Sequence, residues 1–233
     1  GPLEENQPEL VAKIEQVTQR GGLEIPRERM FEMKASEKLK SVNAFVTGFG
    51  ASKRVVVWDT TLEKMTPAQT LFVFGHEMGH YVLGHIMKGI AFIAAVLLLF
   101  LYLGYRGLGW ALGRWGERWR IRGVDDWASL PVLMLLLSVF SFLFQPIGNT
   151  YSRYQEHQAD IYGLEVIHGL VPDSQQAGAQ AFQVLGEINL ADPDPGTLIK
   201  IWLYDHPPLA ERVAFAHSYD PWSKGELPKY VRE

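Results

Sequence analysis

Two long, almost unbroken apolar runs constrain this chain more than any other feature. Residues 86–105 carry Lys88 as their one charge, and residues 127–148 carry none. Each approaches the roughly 20 residues that a helix needs to cross a bilayer core. A buried core helix is the alternative, but two such runs in 233 residues favour a transmembrane hairpin. Mean hydropathy is an unremarkable −0.03 because the apolar residues are concentrated in these runs. The connector, residues 106–126, sets Arg106, Arg114, Arg118, Arg120 and Arg122 among Trp110, Trp115 and Trp119. Arginine and tryptophan together suit lipid headgroups. A nucleic-acid patch has similar composition, but the flanking spans and a net charge of −4 argue against nucleic acid as a partner. Membrane lipids are the expected surroundings.

Just ahead of the first run stands His76-Glu77-Met78-Gly79-His80. On a helix, positions i and i+4 share a face, so both imidazoles reach one metal ion, and Glu77 stands beside it. Such a carboxylate takes a proton from a metal-bound water, which is the H-E-x-x-H chemistry of zinc peptidases. Thr66-Pro67-Ala68-Gln69 predicts the helix start, with Thr66 as N-cap, Pro67 at the first helical position and Gln69 reaching back. No breaker intervenes before His80, and the metal-site helix is expected to run on into the first span. Gly75, Gly79, Gly84 and Gly89 recur at near-helical spacing, predicting close helix approach.

A catalytic zinc keeps one position open and so takes three protein ligands. His85, five residues past His80, falls about 140° around a continuous helix and is expected to face another surface. A third histidine six beyond His80 is excluded, because Ile86 occupies that position. Glu156 and Asp160, again i and i+4, project from one helical face. One of them can bind the metal while the other accepts the free N–H of a ligating histidine. His157 points away from that face. An ordinary solvated acidic pair is the plainer reading of these two carboxylates standing alone.

These passages, taken in order, resemble the integral-membrane zinc endopeptidases that include the type 1 CAAX prenyl proteases and the HtpX heat-shock proteases. The resemblance rests on Val42-Asn43-Ala44-Phe45, Lys53-Arg54-Val55-Val56-Val57-Trp58-Asp59-Thr60 and Gly75-His76-Glu77-Met78-Gly79-His80. It continues through Ser152-Arg153 to Glu156, Ala159-Asp160 and His206-Pro207-Pro208-Leu209-Ala210-Glu211-Arg212. The match runs from about residue 41 to residue 215, and its spacing leans toward the prenyl-protease branch.

The resemblance implies Zn²⁺ held by His76, His80 and Glu156, with Glu77 as general base and Asp160 orienting a zinc-bound histidine, most naturally His76. It implies that His206 donates to the oxyanion, although His206 also reads as a residue that merely caps the helix opened by Pro208. Arg212 either supports His206 or pairs with an acidic neighbour. Asn43 and Ala44 are implied to border the cleft on an edge strand that holds an extended peptide or protein substrate; a plain structural strand is the alternative. His157, His168 and His217 read as structural or surface histidines.

Positive-inside counting places the arginine-rich connector in the cytoplasm and the metal site opposite. The family implies a bacterial inner membrane with the site toward the cytoplasm, and that orientation is adopted here. Gly1-Pro2 reads as the remnant of a cleaved tag, and relatives carry membrane helices ahead of the catalytic region. Cysteine is absent, which excludes disulfides and thiolate ligands. Two further readings stand beside the prenyl protease: an HtpX-like quality-control protease, and a membrane-anchored scaffold with a structural zinc.

The expected fold is mainly α with a small β-sheet, a gluzincin-like metalloprotease domain interrupted by a transmembrane helical hairpin. Residues 4–19 predict an amphipathic helix ended by Gly21 and Gly22, and residues 29–34, 42–47 and 54–58 predict strands. After the second span come a helix bearing Glu156, a helix over 174–190, a proline-punctuated loop over 191–196, a short helix over 198–204 and a last helix from Pro208 to near Tyr219. The segments are 1–85 with the sheet and H-E-x-x-H helix, 86–148 with the hairpin, and 149–233 with the third ligand.

Overall fold

The computed structural model describes residues 1–48, 50–190 and 192–232. Ala191, at the head of the expected proline-rich loop, lies outside the described residues. Among the described residues, eight α-helices and three strands follow one another as α1 (Pro8–Arg20), β1 (Met30–Met33), β2 (Ala44–Thr47), β3 (Arg54–Trp58), α2 (Asp59–Lys64), α3 (Pro67–Val82), α4 (His85–Trp119), α5 (Leu130–Ile167), α6 (Ser174–Asn189), α7 (Thr197–Leu203) and α8 (Leu209–Ser218). The sheet order is β1-β3-β2, with β1 parallel and β2 antiparallel to the central β3. The β-branched run Val55-Val56-Val57 suits the centre of a sheet. Strand β2 is an edge.

Helix α3 lies at the centre of the soluble part, against α5 on one side and α1, α6 and β2 on others. Its Phe72, Phe74 and Met78 share one buried core with Tyr162 and Leu164 of α5 and Phe182 of α6. Two glycines set the closeness of α3 and α5. A Cβ on Gly75 would stand 2.8 Å from Val166 Cγ1, and one on Gly163 would stand 3.1 Å from the His76 amide nitrogen. The near-helical glycine series therefore does not act as one packing stripe. Gly75 and Gly79 meet α5, nothing stands near Gly89, and Gly84 serves another purpose.

Gly84 adopts φ +69° and ends the metal-site helix. The expected continuous run from that helix into the first span does not hold, because the left-handed backbone at Gly84 starts α4 in a new direction. Conversely, the second span and the Glu156 helix form one helix, the 38-residue α5. The connector is also more helical than expected, since α4 continues to Trp119.

Helices α4 and α5 are both long and apolar enough to cross a membrane, and their most apolar stretches are almost wholly uncovered. Ile93, Leu98, Leu101, Met134 and Leu135 are each exposed. A soluble core helix would bury such side chains. Pro146 sits within α5 and deprives the Phe142 carbonyl of its usual donor. The indole N–H of Trp202 replaces it at 3.1 Å, which ties α7 to the span.

Candidate metal centre

The start of α3 fixes the register of its histidines. Thr66 and Gln69 form a reciprocal capping box, and Pro67 opens the first turn. Three turns on, His76 and His80 point together at α5. Their Nε2 atoms are 3.2 Å apart. Glu156 reaches in from α5, with Oε2 3.4 Å from His76 Nε2 and Oε1 3.3 Å from His80 Nε2. These are the three residues among those described whose ligand atoms converge as a metal site requires. Glu156 Oε2 is buried without a hydrogen-bond partner; Arg212 Nη2 is 3.5 Å away, beyond a good hydrogen bond, so the oxygen keeps a lone pair for a further cation. The donor set fits a metal ion.

Behind His76 lies a charged relay. Its Nδ1 stands 2.9 Å from Asp160 Oδ1. Asp160 in turn accepts two hydrogen bonds from Arg212, at 3.0 and 2.5 Å. All three side chains are buried. Burial by itself disfavours protonated His76, but Asp160 and Glu156 reverse this and lift its pKa to about 10 in the metal-free protein. Burial likewise opposes the Arg212 charge, and Asp160 outweighs it. Arg212 also lies over the Phe182 ring at 4.2 Å. Of the two roles expected for Arg212, the observed contact is with an acidic neighbour.

His206 stands at the mouth of the site, 54% exposed, with Nε2 3.4 Å from Glu156 Oε1. Its Nδ1 is 2.9 Å from Asp205 Oδ1. The approach is set by α5, whose Asn149 and Arg153 donate to the α7 carbonyls of Lys200, Ile201 and Trp202 and to that of Tyr204, just past the helix. His206 makes no side-chain cap on α8, which begins after Pro208.

A cleft of about 460 Å³ borders His76, Glu77, Glu156, His206 and Arg212, with Asn43 on its rim. Asn43 Oδ1 accepts the Ala44 N–H at 2.8 Å, and the Asn43 carbonyl accepts from Trp58 N–H and Thr61 Oγ1. Ala44 is fully buried, so its side chain packs inward while its backbone opens the edge strand. Apolar Phe72, Val73, Phe182 and Leu185 complete the wall.

Two neighbours escape sequence reasoning. Asp205 is one. The other is His85, which does not face away: its Nδ1 is 3.0 Å from His80 Nδ1. The 140° offset assumed an unbroken helix, and the signal that overturns it is Gly84. His157 packs its ring on Phe215, and His168 stacks on Trp222.

The chain thus joins a candidate metal centre to two membrane-capable helices. The chain belongs to peptidase family M48, whose pattern matches residues 4–220. It is similar to the metalloprotease YhfN of Bacillus subtilis, 40% identical over 192 residues, covering 82% of this chain and 44% of that protein. The CAAX prenyl protease 1 homolog of Arabidopsis thaliana is 30% identical over 214 residues, covering 88% of this chain and 46% of that protein. The crystal structure of S. mikatae Ste24p superposes with a TM-score of 0.71 at 26% identity, over 94% of this chain and 52% of that one. The chain thus spans about half the length of the relatives it matches.

Proposed function

We propose that this chain is the catalytic core of a zinc-dependent membrane endopeptidase, most like the type 1 CAAX prenyl proteases. The observation that carries this reading is the convergence of His76, His80 and Glu156 beside Glu77 on one cleft. Tetrahedral zinc with bonds of about 2.0–2.1 Å separates its ligand atoms by roughly 3.3 Å. Here the two Nε2 atoms are 3.2 Å apart, and Glu156 approaches them with different oxygens, Oε2 at 3.4 Å from His76 and Oε1 at 3.3 Å from His80. Two imidazoles and one carboxylate, with a fourth position left over, are the donor set of catalytic rather than structural zinc. Bound there, zinc would polarise the scissile carbonyl and lower the pKa of a water.

The chain's own residues supply the rest. Glu77 takes the proton of the attacking water and returns it to the leaving amine. Asp160, clamped by Arg212, holds the His76 ring with Nε2 toward the metal position. Asp205 holds His206 by Nδ1, and His206 donates from Nε2 to the oxyanion. The β2 edge, entered through Asn43 and Ala44, aligns an extended peptide by main-chain hydrogen bonds.

The names of the relatives favour a prenylated carboxyl-terminal peptide over an HtpX-like substrate. The exposed apolar faces of α4 and α5 support insertion among membrane lipids. We assign segments 1–85, 86–148 and 149–233 to the sheet and H-E-x-x-H helix, the hairpin, and the helical part with Glu156. A bacterial inner membrane, with the site toward the cytoplasm, is the placement that the family resemblance favours.

Cleavage of casein and of a prenylated peptide in detergent with zinc, wild type against Glu77→Gln, tests the reading. Turnover that is lost with chelator, and lost in a variant that still binds zinc, is expected. A zinc-loaded wild type inert to both substrates would favour the scaffold, and an active Glu77→Gln variant would remove Glu77 as base.

A further inference from the structure

The two histidines proposed to bind zinc are backed differently. Behind His76 is the Asp160 carboxylate, 2.9 Å from Nδ1. Behind His80 is another imidazole, that of His85, with the two Nδ1 atoms 3.0 Å apart. His85 is 4% exposed, and the two rings meet edge to face at an interplanar angle of 77°. The His80 Nε2 atom faces His76 and Glu156, so His85 lies on the side of the ring away from the metal position. It is therefore not a fourth ligand.

The backbone is built to make this contact. Continued as a helix, α3 would carry residue 85 about 140° around from His80. The left-handed turn at Gly84, φ +69° and ψ 30°, ends α3 and folds His85 back toward the preceding histidine. The other ring nitrogen of His85, Nε2, is enclosed without a hydrogen-bond partner among the described residues. The ring's polar neighbours are His80 at Nδ1 and the Gln158 side chain.

We propose that His85 is a positioning residue for His80, accepting the His80 Nδ1–H at its own Nδ1 and so holding His80 Nε2 toward the metal. The inference rests on the zinc-site reading above. When Nε2 of His80 coordinates, its Nδ1 must carry the proton and donate it. Among the described residues, His85 Nδ1 is the atom that stands within hydrogen-bond distance of His80 Nδ1, and as the tautomer protonated at Nε2 it accepts. One ligand is then oriented by an anion clamped by arginine and the other by a neutral ring, so the site gains a second support without a second buried charge.

Zinc affinity by chelator competition on the full chain in detergent separates this role from packing. His85→Phe keeps a ring and removes the acceptor; His85→Asn keeps an acceptor oxygen near the Nδ1 position. Supporting partners of metal ligands are worth about 10–100-fold in affinity. His85→Phe should lose affinity on that scale, and His85→Asn should recover most of it, at equal thermal stability of the metal-free proteins. If both variants bind as wild type, or if both weaken equally, the proposal fails while the zinc site stands. A wild type that binds no zinc overturns the site and the proposal together. Should His85→Phe not fold, a ¹⁵N–¹⁵N coupling across the hydrogen bond in zinc-loaded wild type decides: its presence between the two Nδ1 atoms supports the proposal, and its absence refutes it.

Discussion

His76 and Asp160 stand 2.9 Å apart in the buried heart of the molecule, and Arg212 grips both oxygens of the same carboxylate, sharing Oδ1 with His76. One residue thus ties a proposed metal ligand to a buried cation. It does so from a helix whose approach is permitted by Gly75 and Gly163.

Replacing Asp160 should therefore harm both binding and folding. Asp160→Asn keeps the shape but removes the charge that offsets Arg212. Breaking one side of a buried ion pair costs about 3–5 kcal/mol, and loss of a ligand's orienting partner costs about 10–100-fold in metal affinity. Thermal unfolding and chelator competition measure the two effects separately. A variant as stable as wild type would show that Arg212 finds other compensation.

Metal binding should release a proton. Burial opposes the charged form of His76, yet Asp160 and Glu156 raise its pKa to about 10 in the metal-free protein. A metal must therefore displace that proton throughout the neutral range, and apparent affinity should rise about tenfold per pH unit between about pH 6 and about pH 8. For the metal-free protein the sign is reversed. The raised pKa gives stability that is fully present below the unfolded imidazole value of about 6.5. That contribution is lost as pH rises through about 10. Calorimetry in buffers of different ionisation enthalpy counts the proton, and a pH-independent affinity would contradict the His76 environment described here.

Glu165 should prove to be the clasp of the carboxyl-terminal segment. Its buried carboxylate accepts the backbone N–H groups of Lys229, Tyr230 and Val231 at 2.5, 2.7 and 3.0 Å, together with the Tyr219 hydroxyl. Hydrogen bonds to a charged group are each worth about 1.5–3 kcal/mol. Glu165→Gln turns one acceptor into a donor facing N–H groups, so it should cost about 2–3 kcal/mol. Trypsin should then cut sooner after Lys229. Unchanged proteolysis would show that core packing of Tyr230 holds the segment unaided.

What the sequence made legible was local. The Thr66 start, the H-E-x-x-H spacing, the valine-rich β3 and the two apolar runs each declare themselves within one or two turns of chain. Glu156 and Asp160 were legible as a facing pair because i and i+4 spacing survives in any helix. What escaped depends on a single backbone angle or on distant contacts. One left-handed glycine, Gly84, swings His85 back to His80. The link from Phe142 to Trp202 spans 60 positions, and only the fold reveals how it steers Asp205 and His206. The connector was misjudged for a related reason, since arginine and tryptophan are as compatible with the end of a helix as with a loop.

The most direct test is the metal content of the purified chain, measured by elemental analysis for wild type and Glu156→Ala. One zinc per chain in the wild type, with loss from Glu156→Ala in mild chelator, is the predicted result. Full zinc occupancy in Glu156→Ala would contradict the three-ligand site, whatever activity the protein retained.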